Sequence, residues 1–267
     1  MSKVKPLLPG PVAAARRVLD ECDVRHPRDI YVEAMAARYG AIVVYGPMST
    51  ARGAIVRTAN RAVIWIDERA KGEPRADFTG AHEFAHHLLH GIIDHFAQCH
   101  GDESAAFARS PEAREADKRV RAVEREANHF STELLMPEKW AAPLCKDPRP
   151  TLDDVDRLAR TFRTSFHASA IRFLELTEAP CAFVHSVAGR IKRSSETASF
   201  PGTIVQRREL HPGSAAARLQ HERAGASHEP REVAGAAWGC ERGERLVEHA
   251  VVLGPDVGVF SWIVPAA

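Results

Sequence analysis

His82-Glu83-Phe84-Ala85-His86 is the stretch of this chain whose residue types and spacing most directly suggest chemistry. On a helix, histidines four positions apart lie about 40° apart around the axis, so both imidazoles reach one ion at roughly 2.0 to 2.1 Å. Glu83 falls about 100° from His82 and about 60° from His86, close enough to hold a water on that ion without ligating it. Zinc lowers the pKa of such a water from about 15.7 to about 7, and a carboxylate beside it takes the proton as a peptide carbonyl is attacked. The five-residue pattern arises by chance in about one sequence of this composition in twenty, so its surroundings must add weight. Phe78, Ala81, Ala85 and Leu89 supply it, forming an apolar stripe along a helical run from Asp77 to His90, with Gly91 placed to stop it.

A hydrolytic zinc site needs a third protein ligand and an open position. The extended pattern with a third histidine is excluded, because Ile92 stands where it would fall. His90 shares the histidine face but sits about 6 Å further along the axis than His86; it and His87 read as neighbours of the site or surface groups. Acidic candidates lie in a long charged helix, Pro111 to Met136, ended by Pro137, whose stripe is Val120, Val123, Ala127, Phe130 and Leu134. Glu124 and Glu126 flank that stripe at about 80° on either side. The side of Glu124 continues with Ser131 and Leu135, and that of Glu126 with Arg119 and Glu133. Glu124 therefore faces the drier side, and Glu126 reads as a solvated charge.

The elements around these helices are short. Two helices are expected between Val12 and Ala37, broken at His26-Pro27. Strands at Ala41 to Tyr45, Ala54 to Thr58 and Ala62 to Ile66, the last two joined by Ala59-Asn60, read as a small antiparallel sheet. The strand from Ala62 to Ile66 either offers its edge to an extended substrate or lies inside the sheet. Pro143, Pro148 and Pro150 form a linker, and Thr151 with Asp154 caps the next helix. Leu152 to Phe162 and Phe166 to Leu176, separated by Arg163-Thr164-Ser165, have a helix-turn-helix outline. Arg157, Arg160, Arg163, His167 and Arg172 are a thin set for base readout, so packing or partner docking is expected there rather than direct DNA binding. After Cys181 the pattern turns to short β runs, including His249 to Leu253 and Val259 to Val264 around Gly254-Pro255-Asp256-Val257-Gly258. Arg190 to Arg193 and Arg207-Arg208 read as solvated faces, and Trp238, Phe260 and Trp262 as core.

With 267 residues and a net charge of +1, the chain carries no single-sign field that would attract phosphate backbones or anionic lipid. Its 5 cysteines are scattered and contain no C-x-x-C pair, which argues against a disulfide framework and a cysteine zinc site and for a reducing compartment. With no apolar run of signal-peptide or membrane-spanning length, the expected location is cytoplasmic.

Phe78-Thr-Gly-Ala-His82-Glu-Phe-Ala-His86-His-Leu-Leu-His90, followed by Glu124-Arg-Glu-Ala127-Asn128-His-Phe130-Ser-Thr-Glu-Leu134-Leu135-Met136-Pro137, resembles the ImmA/IrrE family of metallopeptidases. That family pairs an H-E-x-x-H helix with a second helix, E-x-x-A-N-x-F-A-x-x-L-L-M-P, whose leading glutamate completes the metal site. Ser131 stands where the family usually has alanine, a conservative change in size. The resemblance spans roughly residues 53 to 137. It implies His82, His86 and Glu124 as ligands of Zn2+, with Mn2+ or Fe2+ as alternatives, and Glu83 as general base. The implied architecture is α+β: a zincin-like metallopeptidase domain over 1–145, a helix-turn-helix-like domain over 150–178, and a C-terminal α+β domain over 180–267 resembling GAF sensors. The implied activity is endoproteolysis of a Cro-like helix-turn-helix repressor encoded nearby, derepressing a stress, DNA-damage or mobile-element response. It also leaves room for a small-molecule or nucleotide effector at the C-terminal domain. Other readings are a non-proteolytic regulator or adaptor that keeps the peptidase fold as a scaffold, and a protease of broad specificity.

Overall fold

The computed structural model describes residues 10–49, 52–57, 61–90, 111–219, 222, 225–227, 229–241, 243–254 and 258–266, with side chains from 118 onward in the fourth segment. The turn at Ala59-Asn60, Thr58, the stop at Gly91, His95, Cys99, His100 and the Pro255-Asp256-Val257 turn lie outside the described residues. Contacts divide the chain into two compact units, Met1–Pro137 with Thr161–Ser165, and Glu138–Arg160 with Phe166–Ala267. Among the described residues no helix is long and apolar enough to cross a membrane.

The first unit opens with helices α1 (Pro11–Glu21) and α2 (Val32–Arg38). They do not merge because Pro27 forces His26 into an extended conformation, φ −144° and ψ 151°. Strands β1 (Ala41–Gly46), β2 (Gly53–Arg57) and β3 (Ala62–Asp67) follow, then helices α3 (Pro74–Leu89) and α4 (Pro111–Leu135). The sheet order is β1-β3-β2, with β1 parallel and β2 antiparallel to β3. The sheet is therefore mixed, which corrects the expectation of an all-antiparallel one. The chain crosses to the far edge as β2 and returns through the middle as β3, whose inward residues Ala62, Ile64 and Ile66 are all buried. Residues 62–66 thus form the central strand, and β2 is an edge.

Helix α3 packs on β3 on one side and α4 on the other. Every residue from Gly80 to His86 is buried, so the helix is enclosed almost all round rather than along one stripe. Phe84, absent from the expected stripe, is fully buried; its ring lies edge-on to Phe130 at 5.7 Å and 5.6 Å from Tyr39. Phe78 is only half-buried. On α4, Ala127, Phe130 and Leu134 are buried, whereas Val120 is 59% exposed, so the stripe meets the core only toward the helix C-terminus. Glu133, expected on the wet side, is buried because α1 covers it; its Oε1 accepts from Arg16 Nε at 2.7 Å. Arg163, at φ 55°, donates to the carbonyls of Ile30 (2.8 Å) and Arg28 (3.4 Å) and lies over the Tyr31 ring.

The remaining elements are helices α5 (Glu138–Ala141), α6 (Leu152–Phe162) and α7 (Phe166–Leu176), strands β4 (Ala182–Val187) and β5 (Arg190–Glu196), helix α8 (Ala215–Leu219), and strands β6 (Arg231–Ala234), β7 (Arg245–Gly254) and β8 (Gly258–Pro265). At the start of α6 the acid at the third position reaches back, Asp154 Oδ2 accepting from both the N–H and the hydroxyl of Thr151 at 2.9 Å, the carboxylate half of the predicted cap. The five strands form an antiparallel sheet in the order β5-β4-β8-β7-β6. Val184, Leu246, Ala250 and Ile263 point to a core closed by Trp238 and α8. On the opposite face Trp262 meets Phe173 at 5.5 Å and donates its Nε1–H to the Pro150 carbonyl at 2.8 Å. The aromatic residues read as core are buried.

Inside this unit Glu248 is fully buried. Its carboxylate accepts from the N–H groups of Ala215 (2.7 Å) and Ala216 (2.9 Å), from Trp238 Nε1 (3.0 Å) and from Ser261 Oγ (2.9 Å). Four donors around one carboxylate tie α8, β7, β8 and the Trp238 turn together, and satisfy a charge that would otherwise be costly to bury. The arginines of the helix-turn-helix outline engage their own chain: Arg157 pairs with Asp154 (2.7 Å), Arg160 with Asp156 (2.6 Å) and Arg172 with Glu175 (3.2 Å). Cys22, Cys145, Cys181 and Cys240 are free thiols.

Candidate metal centre

Two elements build the site. Helix α3 carries His82, Glu83 and His86, all buried, and α4 crosses it with Glu124 and Asn128 one turn apart on the facing side. Phe84 against Phe130, with ring centroids 5.7 Å apart and edge to face, is the apolar contact that fixes the helices at this height, and Ala81, Ala85 and Ala127 are buried beside the site on the same two helices. Burial of each large apolar side chain contributes about 1.5 to 3 kcal/mol.

His82, His86 and Glu124 converge, with one ligand atom of each lying within 4.8 Å of the others. His82 Nε2 and His86 Nε2 are 3.1 Å apart. Glu124 Oε2 is 3.1 Å from His82 Nε2, and Glu124 Oε1 is 3.5 Å from His86 Nε2. These separations suit one small cation, since ligand atoms at roughly 2.0 to 2.1 Å in tetrahedral arrangement stand about 3.3 to 3.4 Å apart. The electrostatics agree, because two imidazole nitrogens and a carboxylate facing one another concentrate lone pairs that only a cation, proton or metal ion, can reconcile. Burial, followed by the nearby His82, pushes the imidazole of His86 down to about 4, which favours the neutral, ligating form. Contact with the His82 imidazole holds the Glu124 carboxyl below its ordinary range against the opposing effect of burial.

Glu83 is not part of that group of ligand atoms. It is fully buried against the edge strand β2, where a Cβ on Gly53 would lie 3.3 Å from Glu83 Oε1 and 2.3 Å from Thr79 Cγ2. Gly53 therefore sets how closely the strand approaches the carboxylate. Arg57, on the same face of β2, donates through Nη2 to the carbonyl of His86 and places a positive charge within electrostatic reach of Glu83.

Sequence reasoning gave Asn128 no role, placed His90 beside the site or at the surface without naming its partners, and took Glu126 for a solvated charge. Asn128 Oδ1 lies 3.1 Å from His82 Nδ1, accepting its proton and orienting the ring. Its signal was its position one turn after Glu124. His90 Nδ1 lies 2.9 Å from His86 Nδ1, and His90 Nε2 lies 3.1 Å from Glu126 Oε2. Glu126, expected to be a solvated charge, is half-exposed but paired. His87 faces away, with Nε2 3.0 Å from the Tyr39 carbonyl.

No curated protein matches this chain. Among solved structures, a Mycobacterium tuberculosis transcriptional regulator has a similar fold, with a TM-score of 0.56 and 20% identity over 96% of this chain and 87% of that one. Residues 36–174 match the peptidase family described as the IrrE N-terminal-like domain, a span of more than half the chain that contains both site helices. The chain belongs to that family.

Proposed function

We propose that the protein is a metal-dependent endopeptidase that cleaves a Cro-like helix-turn-helix repressor and so derepresses the genes of a stress, DNA-damage or mobile-element response. The observation that carries the peptidase part is the meeting of His82, His86 and Glu124 from two helices beside a buried Glu83. The three would hold a divalent cation, Zn2+ by ligand type with Mn2+ or Fe2+ as alternatives. When bound, that ion supplies Lewis-acid polarisation of the peptide carbonyl and of water. Glu83 acts as general base, taking a proton from the attacking water and passing it to the leaving amine. No side chain becomes covalently attached to the substrate. The repressor as substrate, and an effector at the C-terminal unit, rest on the family resemblance.

A second reading, a non-proteolytic regulator that uses the same fold as a scaffold, is favoured by the similar mycobacterial structure, which is that of a transcriptional regulator. One experiment separates the two. Purified protein is loaded with Zn2+ and incubated with the repressor encoded beside its gene, alongside Glu83→Gln. Endoproteolysis requires a single cut by the parent chain, and metal retention with loss of cutting in the variant. A cellular response undiminished by Glu83→Gln would favour the scaffold.

A further inference from the structure

We infer that Glu126 and His90 form a proton relay that fixes the tautomer of His86 and aims its Nε2 lone pair at the ion; they are positioning residues for metal capture. The inference rests on reading His82, His86 and Glu124 as a metal centre. It starts from Glu126, whose carboxylate only accepts. His90 Nε2, 3.1 Å from Glu126 Oε2, must therefore carry the proton of that contact. A neutral His90 then has a bare Nδ1, and its neighbour at 2.9 Å, His86 Nδ1, must be the donor. With its proton on Nδ1, His86 presents a bare Nε2, the atom 3.1 Å from His82 Nε2 and 3.5 Å from Glu124 Oε1.

The geometry favours this assignment over a chance surface contact. The side chain of His90 is 6% exposed, one helical turn beyond His86 on α3, so its ring is held between His86 and α4. Glu126 stands at the solvent side of the relay and is 51% exposed, so its carboxylate keeps its hydration at little cost while accepting from His90. Each histidine of the centre thus has its Nδ1–H tied to an acceptor, Asn128 Oδ1 for His82 and His90 Nδ1 for His86, leaving both Nε2 atoms directed at one point. Partners of this kind orient a ligand ring and set its basicity, and their loss costs about 10- to 100-fold in metal affinity.

The test titrates full-length protein with Zn2+ against a chromogenic chelator, and reads the tautomer of His86 by long-range 15N–1H correlation in the metal-free state. His90→Phe keeps a ring but removes the acceptor, and should weaken Zn2+ binding about 10- to 100-fold and release His86 from the Nδ1–H form. His90→Gln should restore much of the affinity, because its amide oxygen accepts from His86 while its amide N–H reaches Glu126. Glu126→Ala, at an exposed position that does not threaten folding, should weaken binding about tenfold. Parent-like affinity and tautomer in both His90→Phe and Glu126→Ala would overturn the relay while leaving the metal centre standing. Failure of the parent chain to bind Zn2+ would overturn the metal centre and the relay with it.

Discussion

Gly53→Ala tests whether the distance between β2 and α3 governs the site. A methyl group at this position would lie 2.3 Å from Thr79 Cγ2. Comfortable carbon contacts are about 3.5 to 4.0 Å, so the strand must retreat by about 1.2 Å or more, or Thr79 must leave its rotamer. The rotamer is held, since Thr79 Oγ1 donates to the Arg75 carbonyl at 2.9 Å. Overpacking of this kind costs about 1 to 3 kcal/mol. At about 1.4 kcal/mol per tenfold, amide exchange across β2 and the facing turn of α3 should accelerate about five- to 150-fold, measured by hydrogen-exchange mass spectrometry. Cleavage should fall by about 100-fold, because a displacement of about 1 Å at a catalytic group costs about that much. The double variant Gly53→Ala with Thr79→Ser removes the clashing methyl while keeping the hydroxyl, and should recover most of both losses. If Gly53→Ala exchanges and cleaves like the parent chain, or if Thr79→Ser brings no recovery, the close approach is not what holds Glu83.

Two further outcomes follow from other parts of the chain. Glu248→Ala leaves four buried donors without their acceptor and should cost about 3 to 5 kcal/mol in chemical denaturation of the full chain; a loss below about 1 kcal/mol would show that water or a shifted side chain replaces the carboxylate. Metal-free protein should lose stability on acidification through His86, whose imidazole is held down to about 4 whereas an unfolded histidine titrates near 6.5. Between those values the unfolded chain binds more protons, so stability rises with pH: the contribution is complete above about 6.5 and fades as pH falls toward about 4. His86→Gln should flatten that part of the stability profile, and identical slopes in parent and variant would refute the assignment.

What the sequence made legible was local. The break at His26-Pro27, the Thr151–Asp154 cap and the extent of α4 follow from rules acting within a few residues, and the structure has them. The mixed sheet was not legible, because whether β1 pairs parallel to β3 depends on which strand takes the centre, a choice made by packing against α3. Burial on α4 misled for the same reason. Periodicity gave Glu124 and Glu126 equal offsets and grouped Glu133 with the wet side, but α1 supplies Arg16 and a cover that the pattern of one helix does not contain.

The centre shows where that boundary falls. The spacing of His82 and His86 places two rings on one helix face, yet a ring in the right place can still present the wrong nitrogen. Which nitrogen is bare is decided by what lies behind each ring: Asn128 behind His82, and His90 with Glu126 behind His86. Asn128 and Glu126 come from the second helix, so their influence exists only once α3 and α4 are packed at a particular height. Phe84 and Phe130, which carry no chemistry of their own, set that height by meeting edge to face in the core between the helices. Local spacing specifies the ligands, and the apolar contact between helices determines whether their lone pairs converge.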